Sequence, residues 1–257
     1  MKLNWVRKDF ESDIEFILYH QQDNTPEWWR RQLFNAYPDL DYEHAKSLPE
    51  SKRFEYITEQ MRQESQKHEN VINDSVKIFQ DTWNTLIAEK LESAYRTAFG
   101  NDCSGILNNM VAEVGLNPIC PRDLEDNSFS VYYRDTPQYA MMIVLHEITH
   151  FVWFYFWQQH FSDNSDEYDF PNLKWLLSEI VVETIIRNSK INDLIEQPKY
   201  IAYSYFYNMT INNELIFDTM KKMYQSRTNI YDFMNKSFDW IQKNEPELRK
   251  KIAAAEK

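Results

Sequence analysis

Met141-Met142-Ile143-Val144-Leu145-His146-Glu147-Ile148-Thr149-His150-Phe151-Val152-Trp153 is an apolar stretch that contains the motif H-E-x-x-H. On a helix, His146 and His150 are one turn apart and lie on the same face. That spacing allows two imidazoles to bind one Zn²⁺, while Glu147 can act on a metal-bound water. Polar side chains inside an apolar helix need partners because unpaired buried polar groups are costly, and a metal would supply one.

The residues before the motif predict a strand and then the start of the motif helix. Ser128-Phe129-Ser130-Val131-Tyr132-Tyr133-Arg134 is rich in β-branched and aromatic residues, as strands are. Asp135-Thr136-Pro137 follows, and a hydroxyl residue directly before Pro is typical of a helix N-terminus. The predicted order is therefore strand, tight turn and H-E-x-x-H helix.

A second motif lies downstream, where Glu179 and Glu183 interrupt an apolar segment, Trp175–Ile186. On a helix the two carboxylates share one face and repel each other, and a nearby cation would remove that repulsion. Taken alone, the pair is typical of a polar stripe that faces solvent. A catalytic zinc site needs three protein ligands and an open position, so together with H-E-x-x-H the pair is interpreted as the source of the third ligand.

With both motifs in this order, the stretch Ser128–Arg187 resembles the gluzincin metallopeptidases, the thermolysin-like group with H-E-x-x-H and a downstream E-x-x-x-D/E. The resemblance implies that zinc is bound by His146, His150 and Glu179. It implies that Glu147 is the general base and later the proton donor.

The same resemblance makes Glu183 the acid that hydrogen-bonds a ligand histidine. The family more often has Asp at that position, so the reverse assignment, with Glu183 as ligand and Glu179 as its neighbour, stays open. The strand Phe129 to Tyr133 stands where zincins have a substrate-binding edge strand. As an edge it would pair with an extended peptide, and the alternative is a strand inside a small sheet.

The sequence contains further candidate ligands and candidate stabilisers of the oxyanion. The metzincin pattern H-E-x-x-H-x-x-G-x-x-H is excluded, because Trp153 and Phe156 occupy its Gly and His positions. His160 could become a ligand only if the chain looped back. Tyr203 and Tyr207 share a face of a predicted helix, Tyr200 to Arg227, and are candidates to stabilise an oxyanion, with core packing as the alternative.

Composition narrows the class of protein. The chain has 257 residues, 43% of them hydrophobic, and only 3 Gly, which favours a folded and mostly helical protein. A net charge of −12 disfavours nucleic acid and anionic membranes as partners. The N-terminal residues lack the apolar core of a signal peptide, and the 2 Cys fit a reducing compartment, so a cytoplasmic location is expected.

These observations predict an α+β, predominantly α-helical fold. A helical N-terminal region, 1–100, would precede a zincin-like core, 101–257, with a small sheet, the H-E-x-x-H helix and the glutamate helix. Within the core, helices are predicted at Ile106 to Val114, Tyr200 to Arg227 and Ile230 to Lys243, and a short one from Pro246.

The expected function is zinc-dependent hydrolysis of peptide bonds in a peptide or protein substrate, by a metal-bound water that Glu147 activates. One alternative is a zincin-fold protein that retains the metal but serves as a binding or regulatory module. The other is a helical interaction protein with an incidental motif, in which His146 and His150 would point away from Glu179 and Glu183.

Overall fold

The chain folds as an α+β protein in which helix predominates, as predicted. The computed structural model describes residues 2–108, 110–163 and 165–255. Its α-helices are α1 (Phe10–Tyr19), α2 (Glu27–Ala36), α3 (Tyr42–Ser47), α4 (Glu50–Lys67), α5 (Glu69–Leu86), α6 (Leu91–Phe99), α7 (Ser104–Leu107), α8 (Pro137–Phe161), α9 (Leu173–Arg187), α10 (Ile216–Gln225) and α11 (Ile230–Ala255). Its strands are β1 (Asn4–Arg7), β2 (Val111–Gly115), β3 (Arg122–Asp123), β4 (Ser128–Tyr132), β5 (Thr210–Ile211) and β6 (Glu214–Leu215).

Contacts between residues divide the chain into two compact units. The sheet unit comprises Leu3–Trp83 and Met110–Ala140. The helical unit comprises Met1–Lys2, Asn84–Asn109 and Met141–Lys257. Both units draw on separate stretches of the chain, and the division into 1–100 and 101–257 stays a prediction.

A four-stranded sheet forms the centre of the sheet unit, in the order β1-β2-β4-β3. The first three strands of this order run parallel, and β3 pairs antiparallel with the start of β4. The strand predicted from Ser128 is confirmed as β4, and it lies between β2 and β3. β3 pairs with Ser128 and Phe129, so the start of β4 lies inside a small sheet, and both alternatives stay open for the rest of the strand.

The prediction of a helix from Ile106 to Val114 was wrong. One helical turn, α7, ends at Leu107, and Val111–Gly115 form β2. Ala112 and Val114 are fully buried, and β2 pairs with a strand on each side. Tertiary pairing therefore overrides the local helical pattern, since strand propensity depends on neighbouring strands more than on the segment itself.

The prediction of one helix from Tyr200 to Arg227 was also wrong. A 3₁₀ turn at Ser204–Asn208 is followed by the hairpin β5–β6, and α10 begins only at Ile216. Asn212 and Asn213 form the turn with φ angles of 51° and 63°. Asn tolerates this left-handed region better than most residues, so a hairpin forms without Gly.

The C-terminal helix α11 continues through Pro246, where a break between two helices was predicted. A proline inside a helix costs about 3 kcal/mol because it removes a hydrogen bond and crowds the preceding turn. Ile241 and Leu248, on either side of this proline, are both fully buried. Their burial favours a continuous helix despite that cost.

Helix α1 is fixed to the C-terminal end of β2 by a buried carboxylate. Asp13 is 1% exposed, and its Oδ2 accepts a hydrogen bond of 2.5 Å from the backbone N–H of Leu116. A Cβ on Gly115 would overlap this carboxylate, so the close approach of α1 to β2 requires glycine at position 115.

The motif helix α8 begins at Pro137 as predicted, and Thr136 Oγ1 accepts a hydrogen bond of 3.2 Å from the N–H of Tyr139. Within the helical unit, the Tyr95 hydroxyl lies 2.9 Å from the carbonyl oxygen of Leu145 and 2.7 Å from Thr149 Oγ1. These contacts fix α8 to α6 at the start of the motif and within it. Among the described residues, no helix combines the length and the apolar run that crossing a membrane requires.

Candidate metal centre

Two histidines of α8 and one glutamate of α9 converge in the helical unit. His146 Nε2 and His150 Nε2 are 2.9 Å apart. Glu179 Oε2 lies 3.6 Å from His146 Nε2, and Glu179 Oε1 lies 3.4 Å from His150 Nε2. The three residues each offer one ligand atom within 4.8 Å of the others. The three residues named as ligands from the sequence therefore lie together.

The separations can be compared with those of a real zinc site. Two ligand atoms that each lie about 2.1 Å from one tetrahedral centre are about 3.4 Å apart. The observed distances of 2.9, 3.4 and 3.6 Å are close to that value. Two imidazoles and one carboxylate also match the His₂Glu ligand set of catalytic zinc sites. The residues present therefore fit a Zn²⁺ ion.

The centre lies almost entirely inside the protein. The side chain of His150 is fully buried, and Glu179 is 6% exposed. Burial opposes ionisation of Glu179, but the neighbouring His150 and His146 outweigh it and hold the pKa of this carboxyl well below its usual range. Glu179 is therefore an anion, the form in which a carboxylate binds a metal.

Glu147 lies next to the ligand atoms without being one of the converging three. Its Oε1 is 3.9 Å from His146 Nε2, and its side chain is 8% exposed, similar to the 10% of His146. Both side chains are nearly buried, and each keeps a small exposed fraction. A carboxylate in this place can accept a proton from a small molecule held beside the histidines.

Both carboxylate oxygens of Glu183 are hydrogen-bonded to residues other than the two histidines. Its Oε1 accepts a hydrogen bond of 3.0 Å from Arg187 Nε, and its Oε2 accepts one of 2.6 Å from the Tyr207 hydroxyl. Of the two glutamates, Glu179 thus faces the histidines, and Glu183 lies one helical turn further along α9. The family resemblance had implied a hydrogen bond from a histidine to Glu183.

The two tyrosine candidates differ in their surroundings. The Tyr207 hydroxyl donates to Glu183, and burial, reinforced by this hydrogen bond, raises the pKa of Tyr207 to about 12. A tyrosine has one O–H to donate, so the Tyr207 proton is already used. Tyr203 precedes the 3₁₀ turn and packs against Trp175, with ring centroids 6.2 Å apart. The two do not share a helix.

His160, the less favoured ligand, lies outside the cluster. It is on the last turn of α8, where its Nε2 lies 3.0 Å from Asn235 Nδ2 and its ring stacks on Tyr231. The structure therefore gives His160 a surface packing role at the end of α8.

Sequence reasoning missed Arg187 and a polar connection between the two helices of the site. The spacing of Glu183 and Arg187 is the i,i+4 signal that could have indicated their ion pair. Asp163 accepts hydrogen bonds from Trp157 Nε1 at 3.0 Å and from the Tyr168 hydroxyl at 2.7 Å, and it pairs with Lys174 at 2.5 Å. This contact joins the end of α8 to the start of α9, and no local pattern predicts it.

Comparison with known proteins found no matching family model, no matching curated protein and no matching solved structure.

Proposed function

We propose that this protein is a zinc-dependent peptidase of the gluzincin type, with a zincin-like arrangement of α8 and α9. The observation that carries the proposal is the convergence of His146 Nε2, His150 Nε2 and the Glu179 carboxylate, whose two oxygens each lie at a zinc-like separation from one histidine. An incidental motif would leave the histidines pointing away from Glu179, and they face it instead. The choice of a peptide bond as substrate follows from the resemblance to gluzincins.

His146, His150 and Glu179 would hold the ion, and bound zinc would supply a Lewis acid that makes water acidic enough to lose a proton near neutral pH. The proton transfer would be carried out by a residue of the chain, Glu147. Its carboxylate would take the proton of the attacking water and hand it to the leaving amine. Its position beside His146, with Oε1 3.9 Å from His146 Nε2, supports this role.

The experiment is a comparison of wild-type protein with Glu147→Gln, both loaded with zinc. Glutamine keeps the size of the side chain but cannot accept and release the proton, so peptide hydrolysis should fall by a factor of about 10² to 10⁴. Zinc bound per chain, measured by atomic emission after dialysis, should stay near one in both proteins, because Glu147 is not among the three ligands.

Two results would each contradict the proposal. Zinc well below one ion per chain in the wild type would show that the protein has no zinc centre. Equal peptide hydrolysis in the two proteins would leave Glu147 without a role. Full zinc occupancy with no hydrolysis in the wild type, across a peptide library, would instead favour a binding or regulatory module that uses the same three residues.

A further inference from the structure

Glu183 is nearly buried, and both of its carboxylate oxygens are occupied. Its side chain is 7% exposed, with Arg187 on one oxygen and the Tyr207 hydroxyl on the other. A buried carboxylate is costly unless it is paired and hydrogen-bonded. The pairing with Glu183 therefore fixes the side chain of Arg187 on α9 and the side chain of Tyr207 against that helix.

Arg187 and Tyr207 in turn hold the backbone of the segment that follows α9. Arg187 Nη2 donates to the carbonyl oxygens of Pro198 and Lys199, the latter at 3.1 Å. The Tyr207 oxygen accepts from the N–H groups of Ile201 and Ala202, at 2.7 and 3.3 Å. Four backbone groups of residues 198–202, which form no helix or strand, are thus hydrogen-bonded to two side chains that one carboxylate of α9 holds.

We propose that Glu183, Arg187 and Tyr207 form a clamp that holds the segment 198–207 on α9 and positions it beside the metal centre. Glu183 is then a positioning residue for this segment rather than for a histidine. All the groups involved belong to the helical unit.

The clamp is close to the centre because Glu183 lies one turn from Glu179, about 6 Å along the helix axis. One turn on the other side of Glu179 is Trp175, which contacts Tyr203 of the same segment. The segment therefore meets α9 on both sides of Glu179. We infer that the segment shapes the substrate site, and this inference rests on the proposed function. The clamp itself does not depend on that function.

Hydrogen exchange tests the clamp without reference to activity. Tyr207→Phe keeps the ring but removes the oxygen that accepts from Ile201 and Ala202. Peptides that cover 200–207 should then exchange about tenfold faster or more, because these amides lose their protection. Tyr200→Phe is the matched control: it removes a hydroxyl from the same segment, and that hydroxyl makes no hydrogen bond among the described residues. Its exchange should equal that of the wild type.

Glu183→Gln is a second variant. Zinc affinity and steady-state kinetics are measured for both variants, because a general loss of stability would not change KM alone. In zinc-loaded Tyr207→Phe and Glu183→Gln, KM should rise about tenfold with a smaller change in kcat, and zinc affinity should stay that of the wild type.

Unchanged exchange in Tyr207→Phe, or equal acceleration in Tyr200→Phe, would overturn the clamp whether or not the protein is a peptidase. A zinc affinity at least about tenfold weaker in Glu183→Gln would overturn it in favour of a histidine-orienting role. Faster exchange with an unchanged KM would overturn the positioning of the substrate site. Loss of the peptidase proposal itself would be seen separately, in the wild-type zinc content and in Glu147→Gln.

Discussion

His146 and His150 present their Nε2 atoms to each other at 2.9 Å, with the two rings inclined at 71°. At this separation two imidazoles can share one proton or bind one cation, but two protonated rings would repel each other strongly. The one-turn spacing on α8 produces the arrangement, and the Glu179 carboxylate completes it from α9. Two imidazoles and one carboxylate thus converge where two helices meet.

Removing a ligand should abolish tight zinc binding. His150→Ala and Glu179→Gln each leave two of the three converging groups, so zinc affinity should fall by at least about a hundredfold. Competition with a chromophoric chelator measures this affinity. His160→Ala is the control, since it removes a histidine from the same helix but outside the cluster. An equal loss in that control would mean that the cluster is not the zinc site.

Zinc should also stabilise the folded protein. A ligand at about a thousand times its Kd adds about 4 kcal/mol to the free energy of unfolding. We expect that increase in wild-type protein and almost none in Glu179→Gln, measured by urea unfolding with and without zinc. Since the metal requires an unprotonated Nε2 on each histidine, the increase should shrink as the pH falls. A zinc effect that is equal in both proteins would point to binding elsewhere.

The sequence predicted those features of the site that depend on local spacing. The i,i+4 separations of His146 with His150 and of Glu179 with Glu183 determine which side chains share a helix face. The start of α8 follows from Thr136 before Pro137. None of these requires knowledge of another part of the chain.

The features that sequence reasoning missed depend on distant partners. Strands β1 and β2 exist because they pair with each other although about a hundred residues separate them. The partners of Glu183 depend on how the segment after α9 folds back, since Tyr207 was expected on a long helix. The hairpin at Asn212 and Asn213 could have been found, because paired asparagines are a known turn signal.

Gly115→Ala should destabilise the protein by about 1 to 3 kcal/mol, because the new Cβ would overlap the Asp13 carboxylate and force α1 away from β2. Urea unfolding measures the change. The matched experiment is the same substitution in an Asp13→Ala background, where the obstructing carboxylate is gone and the cost should be smaller. If the cost is the same in both backgrounds, Gly115 is needed for a reason other than this contact.

Asp13 gives the fold a defined pH dependence. Burial raises the pKa of Asp13 to about 6, and the hydrogen bond from Leu116 and the charge of Lys8 offset only part of this effect. Between the ordinary value of 3.8 and about 6, the folded protein holds a proton that the unfolded chain has lost. The stability that this group contributes is therefore fully present below the lower value and is lost as the pH rises through the upper one.

Asp13→Asn should remove that pH dependence. The amide oxygen can still accept the hydrogen bond from Leu116, but the side chain stays neutral at every pH. The variant should match the free energy of unfolding of the wild type below about pH 4. At pH 7 it should exceed that of the wild type by about 3 kcal/mol, because the pKa of Asp13 is about two higher in the folded protein than in the unfolded chain. Urea unfolding at several pH values measures the difference.

Asp9→Asn is the control for this prediction. It removes an exposed carboxylate from the start of the same helix and can retain the helix cap, so its difference from the wild type should not grow with pH. A constant difference between Asp13→Asn and the wild type from pH 4 to 7 would show that Asp13 is ionised throughout.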